Sequence, residues 1–180
     1  QLEEYKGEAA RLLSPVYAQV GQLEHQIYTL QILAEVQDEE TTSGLSQKVD
    51  YLHQVARLYL EAGAAQESYD TYQQALFADP TSSVSLESLT EIVATSQSWD
   101  VLAQTYENLI PELNEPSLLA LRSKELGALY LEQLQSVDDS IRSYETAKTA
   151  LEPIIIDLFS SRDEEEPRLE DEEEPRLEDE

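Results

Sequence analysis

The sequence predicts an all-α fold: an α-solenoid of about four antiparallel helix hairpins, followed by a disordered acidic C-terminal tail. Three observations carry this. Leu52, Val55, Ala56 and Tyr59 stand at i, i+3, i+4 and i+7, the apolar stripe of an amphipathic helix. After Gly63 a second stripe follows, Ser68, Tyr72, Ala75 and Leu76, and Asp79-Pro80 ends it. Gly tolerates the left-handed turn that stops a helix, and the residue before Pro is pushed out of helical geometry. The same spacing recurs on both sides, and a lone hairpin cannot bury its apolar faces without such neighbours.

In chain order, the first hairpin covers about 8–36, after a polar lead-in from Gln1 to Glu8. Ala10, Leu13, Ser14 and Tyr17 repeat the first stripe, and Gly21 stands where Gly63 does. Leu23, Ile27, Leu30 and Leu33 form its second helix. Pro15 predicts a kink, or a helix start with Ser14 as cap. Asp38 to Leu45 is a polar connection, and the second hairpin is 46–80. The third, 81–113, offers Leu86, Leu89, Thr90 and Val93, a turn at Ser96-Gln97-Ser98, and a second helix opened by Trp99. That helix carries Leu102, Tyr106, Leu109 and Ile110, and Pro111 kinks or ends it.

The fourth hairpin, 116–153, follows the start signal Asn114-Glu115-Pro116. Leu126, Gly127 and Tyr130 match Val55, Ala56 and Tyr59. Past a polar turn at Ser136 to Asp139, Ser140, Tyr144 and Ala147 match Ser68, Tyr72 and Ala75, and Pro153 matches Pro80. Ile154 to Phe159 reads as a truncated helix, the start of a fifth repeat, which closes a repeat domain at 1–159. From Ser160 the composition changes: DEEEPRLE at 163–170 recurs letter for letter at 171–178. With twelve acids against two arginines in 163–180, the tail at 160–180 cannot collapse into a core.

These residues resemble the tetratricopeptide repeat, a helix hairpin of about 34 residues. Leu52, Val55, Ala56, Tyr59, Ser68, Tyr72, Ala75 and Pro80 fill the family's positions in turn, and weaker copies extend the resemblance from about Glu8 to Pro153. The small-residue column Ser14, Ala56, Thr90 and Gly127 has a physical reason. Paired helices approach to about 8–10 Å, and a large side chain there would hold them apart. The aromatic column Tyr59, Tyr72, Tyr106, Tyr130 and Tyr144 is expected to fill space between hairpins.

Composition narrows the functions. Acidic residues number 38 against 11 basic, a net charge of -27, which argues against nucleic acid and anionic membrane surfaces. Cysteine is absent, removing disulfides, thiol nucleophiles and zinc-thiolate sites. Methionine is absent even at position 1, as in a mature secreted protein, which favours an extracellular setting over a cytoplasmic one. No stretch approaches the roughly 18 apolar residues of a membrane span. No nucleophile elbow, HExxH, phosphate loop or dinucleotide fingerprint is present, so no catalytic residue, metal or cofactor is expected. His25 and His53 lie on different hairpins and read as partly exposed helix residues; Trp99 reads as packing.

The resemblance implies a superhelix whose first helices line a concave groove. Its rows would be Arg11, His53, Glu87 and Lys124; then Pro15, Arg57, Glu91 and Ala128; then Leu60 and Leu131, beside Glu61 and Glu132. The Lys/Asn carboxylate clamp of some relatives is not filled, and a basic or amphipathic protein segment suits this groove better. The expected function is a non-enzymatic interaction scaffold. The alternative is a secreted subunit that assembles head to tail into a fibre or tube, with Ile154, Ile155, Ile156, Leu158 and Phe159 as its contact.

Overall fold

The chain is all-α. The computed structural model describes residues 2–37 and 40–163, the side chains of 2–4 and 157–163 excepted, and no strand occurs among the described residues. The helices are α1 (Leu2–Val20), α2 (Leu23–Glu35), α3 (Thr42–Glu61), α4 (Ala65–Ala78), α5 (Ser83–Ser96), α6 (Trp99–Leu109), α7 (Pro116–Glu132) and α8 (Val137–Asp163). A 3-10 turn at Ile110–Glu112 follows α6, where Pro111 stops the helix. Helices in extensive contact are consecutive in the chain, and short turns make each pair antiparallel.

The four hairpin turns share one left-handed residue, and the fourth is one residue longer than the other three. The residue two places before each second helix has a positive φ: Gly21 (69°), Gly63 (77°), Gln97 (58°) and Gln135 (55°). The next backbone N–H closes on the first helix: Gln22 on the Tyr17 carbonyl at 2.9 Å, Ala64 on Tyr59 at 2.9 Å, Ser98 on Val93 at 3.1 Å, Ser136 on Tyr130 at 2.9 Å. These acceptors are the last members of the four sequence stripes. Thr41 and Ser82 cap α3 and α5, accepting from the Gly44 and Ser85 amides at 3.0 and 3.2 Å.

Three buried clusters draw on helices α1 to α7. Ala10, Ile27, Leu30, Leu33 and Val55 form one cluster; Ala34, Val49, Leu52 and Ala75 a second; Leu76, Leu89, Val93, Leu102, Tyr106, Leu109 and Leu126 lie in a third. Ser14, Ala56 and Gly127 are buried, as the small-residue column requires. A methyl group on Gly127 would sit 3.1 Å from the Tyr144 ring, and the Ser140 hydroxyl donates to the Gly127 carbonyl at 2.8 Å. A buried guanidinium ties α7 to the turn after α4: Arg122 Nε and Nη2 donate to the Pro80 carbonyl at 3.1 and 2.7 Å, and Nη1 to Glu125 at 2.8 Å.

Several expectations are corrected. Thr90 is exposed and bonds the Leu86 carbonyl, because the buried face of α5 runs through Ser85, Leu89 and Val93. Leu13 is exposed on the outer side of α1, and Tyr144 covers Gly127 yet stays partly open. Leu86, Tyr17, Tyr59 and Tyr130 are half-buried, whereas Tyr72, Tyr106 and Ala147 are buried. Pro15 and Pro153 lie inside continuous helices. No separate truncated helix exists at 154–159, since α8 carries through to Asp163 and takes in Ser160 to Asp163 of the expected tail. Helix α3 starts at Thr42, inside the expected polar connection, because Thr41 supplies the cap. The remaining tail, 164–180, and the side chains of Leu158 and Phe159 lie outside the described residues.

Gln97 and Gln135 hold a left-handed conformation that costs a side-chain-bearing residue about 1 kcal/mol relative to Gly. Gln97→Gly and Gln135→Gly are each expected to raise the unfolding free energy by about 0.5–1 kcal/mol, and Gly63→Ala to lower it by about 1 kcal/mol. Urea denaturation checks the three; a destabilised Gln97→Gly chain would contradict the turn geometry.

Candidate functional site

A wide opening lies between the second and third hairpins. Helix α4 is pinned to α6 by a buried polar joint: the Tyr69 hydroxyl lies 2.6 Å from Thr105 Oγ1 and 3.2 Å from the Val101 carbonyl, and Gln73 Nε2 donates to Thr105 Oγ1 at 2.9 Å. Burial, foremost, pushes the Tyr69 hydroxyl's pKa up, so it stays protonated. Helix α6 is only 11 residues long and meets α5 over a short stretch. The C-terminal halves of α3 and α5 therefore stand open above the α4–α6 joint.

The resulting cleft has a volume of ≈ 860 Å³. Leu60, Tyr69, Tyr72, Ile92, Val93 and Val101 supply its apolar lining; Arg57, Glu91, Gln66, Ser88, Thr95, Ser96 and Ser98 supply its polar groups. Arg57 and Glu91 are exposed, and neither is ion-paired among the described residues. Arg57 Nε donates only to the His53 carbonyl, one turn back, at 3.3 Å. An apolar trough with one cation and one anion suits an amphipathic chain segment: the trough buries its apolar side chains while the charges fix its direction.

Of the eight expected groove residues, the structure brings together Arg57, Leu60 and Glu91. Arg11, Glu87, Lys124 and Leu131 are exposed but line no part of this cleft. His53 is corrected outright. It is buried, its Nε2 lies 2.8 Å from Ser85 Oγ, and its ring is 5.8 Å from that of Tyr72. It is a joint between α3 and α5. His25 is exposed, with its ring 5.0 Å from that of Tyr17, and Trp99 packs on the central core. Tyr69, Ile92 and Val101 line the cleft without having been expected there. The one available signal was Tyr69 beside Tyr72, two large aromatics where the repeat needs one.

A smaller cavity of ≈ 310 Å³ lies between the 3-10 turn, α7 and α8. Its polar groups are largely spent on each other: Tyr130 donates to Glu107 at 2.6 Å, and Arg142 pairs with Asp139. Burial first, then the Glu107 hydrogen bond, pushes the Tyr130 pKa to about 12. No group of three or more His, Asp or Glu converges to hold a metal among the described residues, and no helix of the described residues is long and apolar enough to cross a membrane.

His53 has a testable pH signature. Burial dominates and lowers its pKa; Asp50 and Asp79 oppose this and Arg57 adds to it. A base that protonates less readily when folded contributes stability above its unfolded pKa, near 6.5, and loses it as pH falls toward the folded value. Between pH 7.5 and 5.5 the wild-type chain should lose more stability than His53→Gln in paired urea titrations; identical pH slopes would contradict the buried neutral ring. No protein-family model matches the chain, and a search of curated proteins finds no match.

Proposed function

We propose that the chain is a non-enzymatic interaction module, an α-solenoid of the tetratricopeptide type, that holds a short protein segment in the cleft between its second and third hairpins. One observation carries this reading: Arg57, Leu60 and Glu91, three residues picked from repeat register, line a single apolar-floored opening. The left-handed residue in all four turns and the packing of consecutive helices support the solenoid. The partner's chemistry follows from charge. Glu91 lines the cleft with Arg57, and Glu61 follows Arg57 one turn on along α3, on a chain of net charge -27, so the favoured segment is amphipathic and basic. No cofactor enters this reading, and neither does nucleic acid or membrane insertion.

The second reading, a subunit that assembles with itself, is favoured by exposed apolar side chains on the outer faces of α1 and α8.

Titration calorimetry with a short amphipathic Leu/Lys peptide tests the cleft. Leu60→Asp is expected to weaken binding about 100-fold and Glu91→Lys about tenfold, with affinity falling as salt rises. Equal binding of a Leu/Glu peptide, or an unchanged affinity in Leu60→Asp, would contradict the proposal.

A further inference from the structure

One titratable ring adjoins the cleft without lining it. His53 stands in the same register row as Arg11, Glu87 and Lys124, all exposed; it alone turns inward. Its Nε2 lies 2.8 Å from Ser85 Oγ and so joins α3 to α5. The Ser85 hydroxyl spends its proton on Ser82 Oγ at 3.0 Å, so the neutral ring carries its own proton on Nε2 and donates it to Ser85. A second proton must enter at Nδ1. It makes the ring a cation and leaves the bond to Ser85 in place.

The α3–α5 joint reaches the cleft at three points. Arg57, one turn beyond His53 on α3, lines the cleft and donates from Nε to the His53 carbonyl at 3.3 Å. Tyr72 of α4 lines it with a ring 5.8 Å from the imidazole. Ser88, one turn beyond Ser85 on α5, lines it too. The charges acting on the ring are Asp50 and Arg57 on its own helix and Asp79 after α4; α5 faces it with the hydroxyls of Ser85 and Ser82. A basic segment in the cleft would cover Arg57 and Tyr72, removing water from around the ring, and would bring positive charge beside it. Both effects disfavour the charged ring.

We propose that pH tunes the cleft: a basic segment binds best while the His53 ring is neutral and is loosened as the ring takes up a proton. This rests on the cleft as the binding site and adds its regulation. Linkage is reciprocal, so a segment entering the cleft expels the proton from a chain that carries one. Histidine is the one side chain whose ordinary titration falls between pH 5 and 8, and the chain has two. The other, His25, is exposed on α2 and lines no part of the cleft. Burial, the foremost cause, lowers the His53 pKa from 6.5, so affinity is full near neutrality and is lost as pH falls through that lowered value.

Titration calorimetry with the Leu/Lys peptide, its termini blocked, tests this at pH 7.5 and 5.5. The wild-type affinity is expected to fall by about threefold or more, with a heat at pH 5.5 that varies with the buffer's ionisation enthalpy as the proton leaves. His25→Gln should repeat the fall. His53→Gln keeps an amide donor for Ser85 and should bind alike at both pH values. An NMR titration of the two wild-type rings needs no variant: saturating peptide should lower the His53 midpoint by about half a pH unit or more and leave that of His25 in place. Equal wild-type affinities at the two pH values, or an unmoved His53 midpoint, overturn the inference and leave the cleft standing. A fall that persists in His53→Gln assigns the dependence to another group and overturns it as well. A peptide that fails to bind at pH 7.5 overturns the cleft and its regulation together.

Discussion

The close crossing of paired helices is the constraint on which the rest depends. Where α7 meets α8, a methyl group on Gly127 would press to 3.1 Å against the Tyr144 ring, so the ring would have to give way. Ala56 on α3 and Ser68 and Ala75 on α4 are each fully buried. Small residues on facing helices let two backbones approach closely enough for their stripes to interlock, and the tightness of a protein interior makes such positions intolerant of added volume. The third hairpin departs from this. Its column residue is a β-branched Thr, its second helix is the shortest, and its partners meet less extensively. The cleft opens beside this looser pair, so a packing exception and a candidate site share one origin.

Buried polar groups then fix one hairpin against another. His53 with Ser85, Tyr69 with Thr105, and Arg122 with the Pro80 carbonyl each cross a boundary between hairpins. Apolar stripes alone tolerate sliding; a buried donor that must find its acceptor does not, because an unmade bond there costs the desolvation of the group. Glu125 shows how fully such a joint is used: one carboxylate oxygen accepts from both Arg122 and Tyr106, at 2.8 and 3.1 Å. The joints thus hold Leu60, Ile92 and Tyr69 around a common opening.

Much of the helical layout was legible because it rests on periodicity. Leu52, Val55, Ala56 and Tyr59 stand on one face by spacing alone, and Gly21 and Gly63 announce a left-handed turn. Gln97 and Gln135 adopt the same turn without a residue type that advertises it. Pro15 was expected to disturb its helix, but it lies on the exposed side of α1 and the helix passes through it. Register spread eight groove candidates over three rows, of which Arg57, Leu60 and Glu91 share the cleft, and it could not tell that His53, on the same helix, turns inward to Ser85. The reach of Arg122 to a carbonyl 42 residues away was also invisible, since no local pattern encodes it. Leu13 fits the stripe but is exposed, because spacing alone does not decide whether a neighbour covers it.

The most direct measurement compares one substitution at two points of the same column. Ala56 is fully buried at its crossing, and Thr90, its counterpart by register, faces solvent. Chemical denaturation of Ala56→Leu should show a loss of about 3 kcal/mol or more, or a chain that no longer folds cooperatively, while Thr90→Leu stays within about 0.5 kcal/mol of wild type. Equal costs at the two positions would contradict the claim that tight crossings at small residues hold the hairpins together.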